Sequence, residues 1–131
     1  MIEMFVLVLL MQLKPYVADF PLQTVYMSGK FNREGWIKPL SLHCLVHMVI
    51  TFVLLLGYIW WHDRLALICL VLVLVLFDGA SHFFIDRVKA HPDMGGEYCV
   101  NDKQFWNNLG LDQLAHQVVG LVIALELVAA L

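Results

Sequence analysis

The sequence has 131 residues, of which 61% are hydrophobic and only 15% are charged, a composition too apolar for an ordinary soluble domain of this length. The formal net charge is -3, and the eight Lys and Arg residues form no dense cluster. A nucleic-acid-binding protein or a polybasic lipid anchor would need such a cluster. The composition therefore predicts an integral membrane protein and argues against nucleic acid as a partner.

The first predicted helix covers about residues 2–20. Its apolar run ends at Leu13, which is too early to span a bilayer, and Lys14-Pro15 interrupts it before Tyr16 to Phe20 resumes it. Because membrane helices tolerate Pro, we expect a kinked span rather than a re-entrant segment. Residues 1–13 lack the basic start and the small-residue cleavage site of a secretory signal, so we expect them to be retained.

Three later segments each contain about the twenty mainly apolar residues that a membrane span needs. They predict helices at about residues 40–61, 65–88 and 109–131. The connection before the second helix mixes aromatic and basic residues, which suits either a segment at the headgroup level or a simple loop. The sequence therefore predicts one integral membrane domain over residues 1–131, an all-α four-helix transmembrane bundle.

The basic residues predict the orientation of this bundle. Seven of them fall at the end where helices one and three finish and helices two and four start, and only Arg64 falls at the other end. The seven are Lys14, Lys30, Arg33, Lys38, Arg87, Lys89 and Lys103. Because loops that stay in the cytoplasm carry an excess of Lys and Arg, we expect an inner (cytoplasmic) membrane protein with both termini in the periplasm.

Eight ionisable residues fall inside or beside the predicted spans, where charged groups are costly and usually face a partner or a cavity. Within helices two, three and four they are four residues apart, so each helix presents its set on one face. Alternate helices run in opposite directions, so all eight belong to the cytoplasmic half. They are Asp19, His43, His47, Asp78, His82, Asp86, Asp112 and His116.

Acid and imidazole groups on facing helices are the ligands of metal centres in helix bundles. We therefore predict one or two divalent transition metal ions at the cytoplasmic face; oxygen and nitrogen ligands without thiolate favour zinc, iron or manganese. A single His and acid one turn apart are more often a helix-stabilising pair, but four such elements at one face favour a metal. The predicted ligands are His43, His47, His82, Asp86, Asp112 and His116.

A proton relay also uses intramembrane Asp and His residues. It would place ionisable groups along the whole depth of the bundle. Across residues 49–61, 65–77 and 117–130, however, the only such residue is Glu126, so the pattern favours metal binding.

Four motifs carry a resemblance to a known family: ADFPLQ at 18–23, LHCLVH at 42–47, SHFFIDRVK at 81–89 and LDQLAH at 111–116. Over nearly the whole chain, they resemble the small phage and bacterial membrane family catalogued as domain of unknown function 3307. That family often has a His one turn before the first Asp, where this chain has Pro15. The resemblance implies the membrane fold and the motif positions but no established activity; a looser likeness to membrane-bound metal-dependent hydrolases implies hydrolysis.

The leading hypothesis is a metal-dependent hydrolase that acts on an ester or phosphoester of a lipid or lipid-linked substrate at the cytoplasmic leaflet. Asp19 or Asp78 would be the general base or an additional ligand, and Gln23, Lys30 and Gln113 would orient the headgroup.

Two alternatives remain. One is a non-catalytic module whose ions staple the bundle while it binds a phage or host membrane partner. The other is a di-iron oxidase, because HCLVH resembles the first histidine box of fatty-acid desaturases, although the remaining boxes are missing. A homo-oligomer is also open, since the sequence has no decisive packing motif.

Overall fold

The computed structural model describes residues 2–131, and all regular structure within them is helical. The four α-helices are α1 (Ile2–Asp19), α2 (Ile37–Trp61), α3 (Ile68–Ala90) and α4 (Lys103–Ala129). Short 3₁₀ helices at Tyr26–Phe31, Leu65–Leu67 and Gly95–Glu97 lie in the connections. The main contacts join α1 to α2, α2 to α3, α3 to α4 and α4 back to α1. The predicted all-α four-helix bundle is confirmed.

Three of the helical segments, Ile37–Trp61, Leu65–Ala90 and Lys103–Ala129, are long and apolar enough to cross a membrane. This agrees with the prediction of a membrane protein. The fourth segment, α1, runs without a break through Pro15, and at about 1.5 Å per residue its 18 residues extend about 27 Å. Its buried face includes Lys14 as well as apolar residues.

The largest difference from the predicted boundaries is at α4, which begins at Lys103 instead of at about residue 109. The preceding residue, Asp102, has an extended backbone, and its carboxylate accepts a hydrogen bond from the Cys99 amide. One turn into the helix, the Trp106 indole donates to the Val100 carbonyl. These contacts fix the first turn of α4 to the loop before it, although the polar sequence there resembles a connection.

The interior of the bundle has two halves. The apolar half, at the end where α1 starts, is formed by Leu7, Met11, Leu55, Ile59, Val71, Leu74, Val75, Ile123, Ala124 and Leu127. The polar half, at the end where α1 finishes, contains the eight predicted Asp and His residues and the lysines that contact them. Glycines bring helices close together in both: Gly79 of α3 faces Met48, and Gly120 of α4 faces the Met11 backbone.

Candidate metal centre

The structure brings all eight predicted acid and imidazole side chains together in the polar half. Seven of them are buried, with exposures of 5% or less, and the side chain of Asp19 remains 21% exposed. They come from all four α-helices. On α2, α3 and α4 the four-residue spacing turns each set inward. The cluster is therefore an interior site, with Asp19 as its most accessible carboxylate.

The first group consists of Asp19, His43 and His47. The Asp19 Oδ1 atom lies 3.2 Å from His43 Nε2 and 3.3 Å from His47 Nε2. Two imidazoles and one carboxylate form the donor set of many mononuclear iron sites. The same His43 Nε2 also lies 3.0 Å from Asp86 Oδ2, so it connects this group to the next.

The second group consists of Asp86, Asp112 and His116. His116 Nε2 lies 3.0 Å from Asp86 Oδ1 and 3.4 Å from Asp112 Oδ1. Within each group, one candidate ligand atom per residue lies within 4.8 Å of the others. Adjacent ligands of an ion with bonds of about 2.0–2.2 Å are themselves about 3.0–3.5 Å apart. In both groups the measured His–Asp separations, 3.2 and 3.3 Å in the first and 3.0 and 3.4 Å in the second, lie in this range.

His82 lies between the two groups. Its ring centroid is 3.9 Å from that of His47 and 4.1 Å from that of His116. The Nδ1 atom lies 3.1 Å from the Asp78 carbonyl oxygen, to which it can only donate. In the neutral ring, that hydrogen bond leaves the free lone pair on Nε2. The Nε2 atom is buried and has no hydrogen-bond partner. A histidine whose second nitrogen donates to a carbonyl is the arrangement expected of a metal ligand.

A buried ion pair lies on the inner side of the cluster. The Lys14 ammonium donates to both Asp78 carboxylate oxygens, at 2.7 and 2.8 Å, and to the Thr51 hydroxyl at 3.1 Å. Thr51 in turn donates to Asp78 Oδ2 at 2.6 Å. Sequence reasoning placed Asp78 among the catalytic groups and missed its two partners. A lysine inside an apolar helix was the signal for Lys14; nothing in the sequence singled out Thr51.

Two more lysines neutralise carboxylates of the second group. Lys30 Nζ lies 2.8 Å from Asp86 Oδ2, and Lys89 Nζ lies 2.6 Å from Asp112 Oδ2. Lys30 is buried, and its ammonium contacts the candidate ligand Asp86 directly. Arg87 supports the segment that carries it, by donating to the Lys30 carbonyl and lying over the Trp36 ring.

The other two residues predicted to orient a headgroup differ in position. The Gln113 side chain donates to Asp112 Oδ2 at 3.2 Å. Gln23 is half-buried, and among residues 2–131 it makes no hydrogen bond to the cluster. Gln113 is therefore adjacent to the candidate ligands, whereas Gln23 is not tied to them.

The charges of the cluster limit how many ions it can hold. Asp19, Asp78, Asp86 and Asp112 contribute four negative charges, and three lysine ammoniums pair with three of these residues. With neutral imidazoles the sum is -1, so one divalent ion gives +1 and two give +3. Because uncompensated charge in a buried site is costly, the balance favours one ion over two.

The two connections at this end of the bundle are joined by Arg33 and Asp93. The guanidinium donates to both carboxylate oxygens, at 3.1 and 2.6 Å. These hydrogen bonds hold the pKa of Asp93 below its usual range. Nearby, a Cβ on Gly95 would collide with the Lys89 carbonyl, so this glycine allows the loop to pack directly on the end of α3.

The amino-acid sequence matches the model of a known protein family. A family model described as "Protein of unknown function (DUF3307)" matches residues 4–131. The chain belongs to this family. No curated protein and no solved structure matches the chain. The match confirms the family resemblance predicted from the sequence. The family's description names no activity, so the polar half is the basis for a functional proposal.

Proposed function

We propose that the chain is a membrane-embedded metal-dependent hydrolase that cleaves an ester or phosphoester of a lipid or lipid-linked substrate. The observation that carries the proposal is the convergence of two ligand groups on His43, whose Nε2 atom lies within 3.2 Å of both Asp19 and Asp86. Several histidine nitrogens and one Asp112 oxygen in the same cluster are buried and make no hydrogen bond. Buried polar atoms without partners are costly, and a bound cation would supply the missing interaction.

The residues fit a divalent transition metal such as zinc, iron or manganese, because they offer oxygen and nitrogen and no thiolate. Cys44, which adjoins His43 in sequence, belongs to neither ligand group among the described residues. We assign one ion per chain from the charge balance. Its ligands would be drawn from Asp19, His43, His47, His82, Asp86, Asp112 and His116. When bound, such an ion polarises an ester oxygen and activates water.

The other polar residues would then have separate tasks. Asp19 is the carboxylate most open to solvent, so it is the better candidate for a general base that exchanges protons with water. Asp78 is saturated by Lys14 and Thr51 and would hold His82 in place. Lys30 and Lys89 lie beside the second group, where an ammonium can bind an anionic headgroup.

We place the reaction at the cytoplasmic leaflet of the inner membrane, with both termini in the periplasm. Two of the seven basic residues used for orientation, Lys14 and Lys30, are buried in ion pairs. The remaining five still outnumber Arg64, so the charge asymmetry supports the same orientation. Cysteine labelling of the Lys103 region from the periplasmic side would contradict it.

The test combines metal analysis with activity. Wild-type protein purified in detergent should contain about one transition metal ion per chain, following the charge balance, and should hydrolyse at least one member of a panel of lipid phosphoesters. Asp112→Asn and His116→Ala should lose both the metal and the turnover, because each removes a ligand of the second group. His62→Ala is the matched control, since His62 lies at the opposite end of the bundle beside Glu3. A metal-free preparation with a stable bundle would rule the proposal out.

A non-catalytic, metal-stapled module is the second candidate. It is favoured by the origin of the cluster, because one buried site draws its side chains from all four α-helices, as a structural staple would. In that case metal removal should lower the thermal stability of the wild type, while no panel member is hydrolysed. A phage or host membrane protein would then be the partner to seek by cross-linking.

A further inference from the structure

An apolar groove lies against the outer side of the second ligand group. It has a volume of about 600 Å³ and lies between the end of α3, the start of α4 and the loop that joins them. Its apolar wall is formed mainly by Phe84, Val88, Leu111, Ala115 and Met94. This volume is in the range of sites that hold small organic ligands.

The wall of the groove faces outward from the bundle. Phe84 is 71% exposed, Leu111 is 64% exposed and Val88 is 54% exposed. All three lie on helices that are long and apolar enough to cross a membrane. In that setting the surroundings of an outward apolar groove are acyl chains, so the natural occupant is a hydrocarbon chain.

The inner end of the groove is polar. Lys89 and Asp112 both line it, and their side chains are 2.6 Å apart. Asp112 Oδ1 is buried and makes no hydrogen bond. Two further acids line the loop side: Asp93 is neutralised by Arg33, and Glu97 is exposed to solvent. A ligand that enters from the lipid therefore meets one ammonium at the point where the groove reaches a candidate metal ligand.

We propose that this groove binds a phosphate-bearing membrane lipid, with an acyl chain along Phe84, Val88 and Leu111 and the phosphate at Lys89. The role of the groove rests on the proposed function, because the bound lipid would be the substrate and the groove would be the route by which its ester reaches Asp112. Binding itself needs no turnover, so it can be tested separately.

The test measures lipid retention by native mass spectrometry of the full chain released from detergent. The probes are phosphatidic acid and a diacylglycerol with the same acyl chains, which differ only in the phosphate. Wild type should retain one phosphatidic acid per chain and bind the diacylglycerol roughly tenfold more weakly, the loss expected for one charge-assisted hydrogen bond. Lys89→Gln should bind both lipids equally.

The matched pair for the acyl chain is Val88→Trp and Val73→Trp. Both valines are exposed on α3, but only Val88 lines the groove. Val88→Trp should fill the groove and reduce retention of both lipids, whereas Val73→Trp should bind like wild type. Equal retention by the two variants, or equal affinity of wild type for the two lipids, would overturn the inference.

Metal content measured on the same samples separates this inference from the proposed function. Lipid retention that depends on Val88 and Lys89 in protein without metal would support the groove and remove the hydrolase. If the protein contains metal but its lipid binding is unchanged by substitution of Val88 and Lys89, the groove inference is wrong and the metal centre stands.

Discussion

The two halves of the bundle interior are built by different forces. The apolar half, around Leu55 and Val71, is built among residues 2–131 from buried apolar side chains packed against each other. The polar half fills the same four-helix frame with histidines, carboxylates and three lysines. Apolar packing is non-directional, whereas a buried charge is stable only beside its partner. The polar half therefore depends on specific charge pairs such as Lys14–Asp78, whereas the apolar half depends on packing alone.

The strongest way to break this contrast is to leave a charge unpaired in the polar half. Lys14→Met would leave the fully buried Asp78 carboxylate without its cation. Removing one partner of a buried ion pair costs about 3–5 kcal/mol, so we expect a large loss of folded protein. Unfolding in a detergent titration, followed by circular dichroism, measures the change.

The control for that variant is Lys14→Met combined with Asp78→Asn. The amide is neutral and can still accept the hydrogen bond from Thr51, so the double variant should recover more than half of the lost stability. If Lys14→Met alone unfolds like wild type, the ion pair does not stabilise the bundle, and the contrast between the halves fails.

A substitution in the apolar half should separate stability from metal binding. Leu55 is fully buried, and Leu55→Ala should cost about 2–4 kcal/mol through lost packing and the resulting cavity. The metal content of the folded fraction should stay at the wild-type value, because Leu55 lies about two turns beyond His47, the last candidate ligand on α2. Calorimetry and elemental analysis on one preparation test both statements. The exposed Leu125→Ala on α4 is the matched control and should change neither.

The smallest expected effect concerns the clamp between the loops, Arg33 with Asp93. Because the pKa of Asp93 is lowered, the pair contributes above the ordinary aspartate pKa of about 3.9 and is lost as the pH falls through the lower folded value. The loops should therefore stay joined from neutral pH to about pH 4 and separate below it. Nitroxide labels on Cys99 and on Glu34→Cys, in a Cys69→Ser background, report the distance.

Arg33→Gln is the control for the clamp. Its loops should already be apart at neutral pH, and the label distance should not change as the pH falls. A change of wild-type size in this variant would assign the effect to another group.

Much of the fold could be predicted from hydropathy, because three spans are nearly uninterrupted apolar runs. The eight cluster residues could be found as well, since spacing of four residues and alternating helix direction are sufficient to place them at one end. The start of α4 could not, because it depends on the contacts of Asp102 and Trp106 with the preceding loop.

The lysine partners were the harder part of the site. Lys14 and Asp78 are 64 residues apart, and a sequence alone does not report which charges meet across helices. Lys14 was counted with the interfacial basic residues because the apolar run stops there. Lys30 lies in a short 3₁₀ helix in the connection before α2. No hydrophobic periodicity in that connection predicts that it packs against Asp86. Lys89 was treated only as a marker of orientation.

The pairing of Lys14 with Asp78 also bears on how the chain is made. The cation is synthesised first, and its counter-ion follows 64 residues later. During that interval α1 is a short, proline-containing helix with an ammonium in its interior, a poor candidate for stable entry into hydrocarbon by itself. We therefore expect α1 to complete its insertion only after α3 has left the ribosome, which makes biogenesis of the first helix dependent on the third.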